Sequence, residues 1–155
     1  MVRSIDVADT AFLHAMLYEA IYTPPGVARP PLEVMDDPQI AHYIAGWGRL
    51  GDEGLVAVEI GVLVGAAWFR LFSTGDPGYG FVSAETPELA MAVEARHRGQ
   101  GIGSELLLGL IEVARRRGYP GLSLSVDPEN PAKRLYRRAG FLDWAGSGRT
   151  MFLAL

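Results

Sequence analysis

Short apolar runs and polar breaks alternate along the first half of the chain, and their spacing predicts its secondary structure. Val2 to Val7 reads as a short strand. From Asp9 to Ile21 the apolar residues recur every three or four positions, which indicates a helix with one apolar face. Leu55 to Ile60 and Val62 to Phe72 are rich in valine, leucine and aromatic residues. Because only Gly61 separates these two runs, we expect an antiparallel hairpin.

An irregular stretch lies between the first helix and this hairpin. Tyr22 to Pro38 is rich in proline and shows neither a helical nor a strand period, which indicates a loop. Loops of this length are more often binding segments than simple connections. Asp37 and Pro38 suit the N-cap and first position of a short second helix, which we expect to run toward Trp47.

The second half of the chain predicts a β-α-β unit. Leu89 to Val93 is an apolar run of strand length. Gly103 to Arg117 carries apolar residues at helical spacing, and Gly118 is placed to end that helix. Leu122 to Val126 alternates apolar residues with serine, which indicates the second strand of the unit.

The C-terminal segment predicts one more helix and a final hairpin. Asn130 and Pro131 suit the start of the helix, and Gly140 suits its end. The hairpin strands are expected at Phe141 to Trp144 and Thr150 to Leu155. Without an internal repeat or linker, residues 1–155 are predicted to form one mixed α/β domain.

Composition narrows the class of protein. The 155 residues are 49% hydrophobic and 21% charged, which is typical of a globular domain. We expect a cytoplasmic protein without a membrane span, since no apolar run approaches the roughly 18 residues of a span and the N-terminus lacks a signal pattern. The net charge of -4 gives no support to nucleic-acid binding. The absence of cysteine excludes a disulfide framework, a thiolate metal site and a cysteine nucleophile.

Three glycines, Gly99, Gly101 and Gly103, lie between the buried strand and the strongest predicted helix. Without Cβ atoms, backbone N–H groups there can converge on an anion, and the helix N-terminus adds about half a positive charge. Alternatively, these glycines form only a tight turn. The spacing excludes a dinucleotide fingerprint, because Leu106 stands at the third glycine position. It also excludes a P-loop, because Glu105 stands where lysine is required.

The same loop fits another pattern: Gln or Arg, two residues, Gly, one residue, then Gly or Ala. Arg98, Gly101 and Gly103 match it, and here the chain resembles the GNAT superfamily of N-acetyltransferases. The resemblance is specific from Pro87 to Phe141 and vague before that. Its further elements are Leu106-Leu107, Leu122 to Val126, Asn130-Pro131-Ala132, Leu135-Tyr136 and Gly140-Phe141.

The resemblance implies an α/β (α+β) fold with a mixed, mostly antiparallel sheet of about six or seven strands flanked by helices. It also implies acetyl-CoA as co-substrate, with the pyrophosphate on the glycine loop and the pantetheine arm along the fourth strand. Asn130 would contact the coenzyme or serve only as a helix cap. The cofactor-binding residues implied are Met91, Ala92, Val93, Arg98, Gly99, Gly101, Ile102, Gly103, Ser104 and Asn130.

Acetyl transfer to an amine needs a base for the amine and an acid for the leaving thiolate. The resemblance implies that Tyr136 is the general acid, although a tyrosine on an apolar helix face can also simply pack. Glu88 is the first candidate for the base and Glu85 the second, and either could be a solvated carboxylate. The three histidines have no spacing typical of a metal site, so no metal is predicted.

The acceptor is expected to be a primary amine of a small molecule or peptide. The Tyr22 to Pro38 loop could line its pocket, and Trp47, Trp68 and Phe69 could line that pocket or belong to the core. A homodimer formed through an edge strand or the last hairpin is possible. The alternative function is a non-catalytic module that senses acyl-CoA or docks a partner.

Overall fold

Seven strands and four α-helices make up the fold of residues 1–155, which we describe from a computed structural model. The strands are β1 (Val2–Ser4), β2 (Glu53–Glu59), β3 (Val62–Arg70), β4 (Glu88–Val93), β5 (Gly121–Ser125), β6 (Leu142–Asp143) and β7 (Thr150–Ala154). The α-helices are α1 (Thr10–Ala20), α2 (Pro38–Ala41), α3 (Ile102–Arg116) and α4 (Ala132–Arg138). Single 3-10 turns occupy Val7–Asp9, Leu32–Asp36 and Ala95–His97.

The strands form one mixed sheet in the order β1-β2-β3-β4-β5-β7-β6. Every neighbouring pair is antiparallel except β4 and β5, which are parallel and joined through α3. This arrangement confirms the predicted fold class.

Alternating side chains divide the core between the two faces of the sheet. Leu89 of β4 packs with α3 and α4 on one face. Trp68 of β3 and Ala92 of β4 pack with α1 and the α2 region on the other. The period of two in the strands thus buries both faces, which explains their near-continuous apolar sequences.

The parallel pair β4 and β5 separates soon after it begins. Its register contains a single pair, Glu88 opposite Ser123. β4 keeps its antiparallel partner β3 from Gly65 to Arg70, so only the edge that faces β5 is left without a strand partner. The separation opens a cleft into the sheet beside Met91 and Val93.

Several predicted elements are shorter than expected, and α2 and β1 are the clearest examples. α2 ends at Ala41 because the amides of Tyr43 and Ile44 bond to carbonyls three residues earlier, and the chain then turns at Gly46 and Gly48, where φ is +61° and +108°. β1 ends at Ser4 because the Asp6 side chain accepts a hydrogen bond from the Ala8 amide and caps the turn that follows. No helix is both long enough and apolar enough to cross a membrane.

Candidate active site

The opening between β4 and β5 is part of a cleft of about 1530 Å³. It is lined by the end of α1, the Tyr22–Val27 part of the proline-rich loop, β4, the glycine loop and α4. The hydroxyl of Tyr22 donates to the carbonyl of Glu129 at 3.3 Å and so joins the loop to the segment before α4. Glu88, Tyr136 and all ten residues assigned to the cofactor line this one cleft.

The glycine loop ends at the N-terminus of α3 with unpaired donors. Gly99 and Gly101 have φ of +73° and +84°, a left-handed conformation that favours glycine. Gly101 is the N-cap and provides no side-chain cap for α3. None of the amide N–H groups from Gly99 to Ser104 donates a hydrogen bond within the chain. This arrangement of amides fits a pyrophosphate group.

Arg98 fixes the glycine loop to the end of β4. Its Nε donates to the carbonyl of Val93 at 2.9 Å, and its guanidinium forms an ion pair with Glu19 at 3.2 Å. The side chain is 55% exposed, so this ion pair contributes little to stability. Arg98 therefore supplies a positive charge beside the loop while holding the loop in position.

Glu88 lies at the closed end of the β4–β5 opening and is only 2% exposed. Its Oε2 accepts hydrogen bonds from the hydroxyl of Tyr43 and from the amide of Gly80 at 3.1 Å. Burial raises the pKa of this carboxyl to about 7, against the lowering effect of the two hydrogen bonds. The second candidate base, Glu85, is exposed and does not line the cleft.

Tyr43 is a cleft residue that the sequence did not indicate. It is 8% exposed, and its hydroxyl donates to Glu88 while accepting a hydrogen bond from the amide of Tyr79 at 2.9 Å. Burial and the neighbouring Glu88 raise its pKa well above the ordinary tyrosine value. Its place after α2 gave no signal, because it fitted equally well as one more apolar position.

Tyr136 projects from α4 toward the cleft, with its ring edge-on to Phe141 at 5.9 Å. Burial raises the pKa of its hydroxyl to about 12. The hydroxyl therefore stays protonated near neutral pH and is available as a donor. Just before the same helix, Oδ1 of Asn130 accepts a hydrogen bond from the amide of Ala132 at 3.0 Å and closes the turn that leads into α4.

The aromatic residues considered for the acceptor pocket lie elsewhere. Trp68 and Phe69 are buried in the core, and the ring of Trp47 lies 5.6 Å from the guanidinium of Arg70. None of the three lines the cleft. The described residues contain no group of three or more His, Asp or Glu side chains that could hold a metal ion.

Residues 15–141 match the Acetyltransferase (GNAT) family. The chain belongs to this family. The match includes the glycine loop, the β4–β5 opening and α4, the elements on which the resemblance in sequence was based.

Three known proteins are similar to this GNAT chain. It is 31% identical over 141 residues to the L-methionine sulfoximine/L-methionine sulfone acetyltransferase of Salmonella typhimurium, covering 90% of this chain and 78% of the relative. A ribosomal-protein-alanine N-acetyltransferase structure from Brucella melitensis has a TM-score of 0.70 and 27% identity, covering 100% and 99% of the two chains. The yncA structure from Salmonella typhimurium, solved with its cofactor acetyl-CoA, also has a TM-score of 0.70 and 27% identity, covering 100% and 93%.

The family and the residues of the cleft both indicate acetyl-CoA as the co-substrate. Neighbouring structures of this fold contain acetyl-CoA. In this GNAT chain the unpaired amides of the glycine loop and the free edge of β4 suit the pyrophosphate and the amide-rich arm of that molecule. The protein is an acetyl-CoA-dependent acetyltransferase.

Proposed function

We propose that this protein transfers the acetyl group of acetyl-CoA directly to a primary amine of a small molecule or peptide. The observation that carries the proposal is one cleft lined by a carboxyl group with a pKa of about 7, a protonated tyrosine and the unpaired amides of a helix N-terminus. The carboxyl can take a proton from the amine, and the tyrosine can donate one to the leaving sulfur.

Each residue then has a defined role. Glu88 takes up the proton that the amine must lose before it attacks, and a backbone N–H near Val93 stabilises the oxyanion of the transition state. Tyr136 is the general acid for the thiolate. No side chain needs to form a covalent intermediate, since an uncharged amine is itself a sufficient nucleophile for a thioester.

The first acceptors to test are amino acids and peptide N-termini. The Salmonella relative is named for two amino-acid derivatives, and the Brucella structure is named for an alanine of a ribosomal protein. Away from the glycine loop, this cleft has apolar and aromatic walls that can surround an uncharged side chain. The residues on these walls are Leu17, Ile21, Tyr22, Ile40 and Tyr79.

A free-thiol release assay with acetyl-CoA tests the proposed function. The panel should contain L-methionine sulfone, L-methionine sulfoximine, an alanine-initiated peptide, a polyamine and an aminoglycoside. We expect amine-dependent release together with an acetylated amine identified by mass spectrometry. Acetyl-CoA binding without turnover on any amine would favour the non-catalytic sensor instead.

Replacing Gly103 with valine is expected to weaken acetyl-CoA binding roughly tenfold to a hundredfold, about 1.4–2.8 kcal/mol. A Cβ on Gly103 would lie 3.3 Å from Leu135 and 3.8 Å from Met91, so valine would fill the gap between β4 and α4. Calorimetric titration with acetyl-CoA measures the change. Gly75→Val is the matched control, because the nearest atom to its Cβ lies at 3.9 Å in a turn remote from the cleft. Unchanged affinity in a folded Gly103→Val protein would place the coenzyme elsewhere.

A further inference from the structure

Glu88 lines the cleft, but its side chain is almost wholly buried at the closed end. Oε2 is occupied by the Tyr43 hydroxyl and the Gly80 amide, and Oε1 is buried without a hydrogen-bond partner. The backbone of Gly78 lies directly against Oε1, since a Cβ at this position would stand 2.2 Å from that oxygen. The turn at residues 78–81 and the Tyr43 hydroxyl therefore separate an amine in the cleft from direct contact with the carboxylate.

The hydroxyl of Tyr43 can bridge this separation. A phenolic hydroxyl is both a hydrogen-bond donor and an acceptor, so it can take up one proton while it gives another away. In Tyr43 the donor faces Glu88, and one acceptor position receives the amide of Tyr79. Tyr43 lines the cleft that contains the other site residues, so an ammonium group in the cleft can approach the same oxygen.

The surrounding protein holds Tyr43 firmly in this position. Trp68 Nε1 donates to the carbonyl of Tyr43 at 3.1 Å. Arg70 donates to the carbonyls of His42 and Ala45, at 2.9 and 2.7 Å, and so fixes the backbone on both sides of Tyr43. The ring packs edge-on against Phe72. Fixed groups of this kind need no rearrangement when a proton moves.

Building on the proposed function, we propose that Tyr43 is a catalytic residue that carries the amine proton to Glu88. The N–H bond of the bound ammonium breaks as its proton bonds to the Tyr43 oxygen, and the nitrogen keeps the electron pair. At the same time the Tyr43 O–H bond breaks and its proton bonds to Oε2 of Glu88. The products are a neutral amine, an intact tyrosine and a protonated Glu88, so atoms and charge balance.

The charges around the pair suit this transfer. Arg70, the cross-strand neighbour of Glu88, is already neutralised by Asp52. The other polar or titratable groups around the pair are His42, which contacts Asp76 at 2.9 Å, Tyr79 from the turn, and Ser123 opposite Glu88. Since the raised pKa of Tyr43 keeps it from ionising alone, the two proton transfers occur together.

The test is the pH dependence of kcat/KM for one active amine with wild type, Tyr43→Phe, Glu88→Gln and the double variant. Glu88 accepts a proton only when ionised, so wild-type kcat/KM should fall as the pH drops below about 7. Tyr43→Phe should lower kcat/KM by about 10²–10⁴-fold at pH 8. Tyr43→Phe also removes a hydrogen bond that lowers the Glu88 pKa, so this pKa should rise. The residual activity should then begin to fall at a higher pH than in wild type. The double variant should have a kcat/KM only slightly lower than that of the single variants, because Tyr43 and Glu88 act in the same proton transfer.

Gly78→Ala provides a second variant that keeps both side chains. The added Cβ would also lie 3.0 Å from the Tyr43 oxygen, so it must displace the pair, and we expect a lower kcat/KM with an altered acid limb. Gly75→Ala and Tyr119→Phe are the controls, because both residues lie outside the cleft, and they should behave as wild type. Calorimetry with acetyl-CoA verifies that each variant is folded.

The outcomes separate this proposal from the proposed function. Suppose that Tyr43→Phe and Gly78→Ala both keep the wild-type pH dependence of kcat/KM while Glu88→Gln has a lower kcat/KM. This result would overturn the role of Tyr43 and leave Glu88 as the base. A wild-type profile in Glu88→Gln as well would overturn both assignments, although acetyl transfer itself would stand. A wild-type protein that binds acetyl-CoA and acetylates no amine would contradict the proposed function and, with it, the proton transfer through Tyr43.

Discussion

Replacing Tyr136 with phenylalanine is expected to lower kcat by about 10²–10⁴-fold, the range for a positioned general acid. The hydroxyl makes no hydrogen bond within the chain, and its pKa of about 12 keeps it protonated at the pH of an assay. Phenylalanine keeps the packing of the ring against Phe141 and removes only the oxygen. The loss should therefore fall on the chemical step rather than on folding.

Steady-state kinetics and calorimetry together test the role of Tyr136. We expect the dissociation constant of acetyl-CoA to stay within about twofold of wild type while kcat falls. Tyr119→Phe, which also removes a tyrosine hydroxyl but lies outside the cleft, serves as the matched control. A Tyr136→Phe protein with wild-type kcat would reduce Tyr136 to a packing residue.

Replacing Asp52 with alanine is expected to lower the free energy of unfolding by about 3–5 kcal/mol. Asp52 and Arg70 have side chains only 2% and 1% exposed and form two hydrogen bonds, at 3.0 and 2.7 Å. Asp52 also accepts from the amides of Gly48 and Arg49. Alanine would leave a buried guanidinium without a counter-charge, together with two unpaired amides.

Urea unfolding at pH 7 measures this loss. Glu112→Ala breaks an exposed ion pair with Arg115 at 3.8 Å and should change stability by less than about 1 kcal/mol. Because Arg70 holds the backbone on both sides of Tyr43, we also expect Asp52→Ala to reduce activity under conditions in which the variant is folded. A loss of stability no larger than that of Glu112→Ala would show that the buried pair contributes little.

The residues predicted for the coenzyme lie together in one cleft, because the sequence signals for them are local. Gly99, Gly101 and Gly103 stand within five residues of one another, directly before a helix with a strong period. A strand, a glycine loop and a helix in this order bring the amides of the loop and of the helix N-terminus together, independently of the rest of the fold. The resemblance to GNAT proteins added Tyr136, the need for a base in acetyl transfer added Glu88, and both line the same cleft.

The acceptor side could not be predicted in the same way. Tyr43, the turn at residues 78–81 and Glu88 meet only because the hairpin and β4 fold against the segment that follows α2. Tyr43 and Glu88 are 45 residues apart, and nothing local in the sequence relates them. Arg70, at the end of β3, is buried against Asp52, which lies 18 residues away in the sequence. Long-range polar contacts of this kind depend on register and loop path, which hydrophobic periodicity does not specify.

The most direct test of the account is a single-turnover experiment with the protein in excess over isotopically labelled acetyl-CoA and an active amine, followed by mass spectrometry of the protein and the small molecules. Direct transfer predicts that the labelled acetyl group appears on the amine as coenzyme A is released, while the protein mass stays unchanged throughout. Label on the protein before it reaches the amine would contradict direct attack. Release of coenzyme A with free acetate and no acetylated amine would contradict N-acetyl transfer itself.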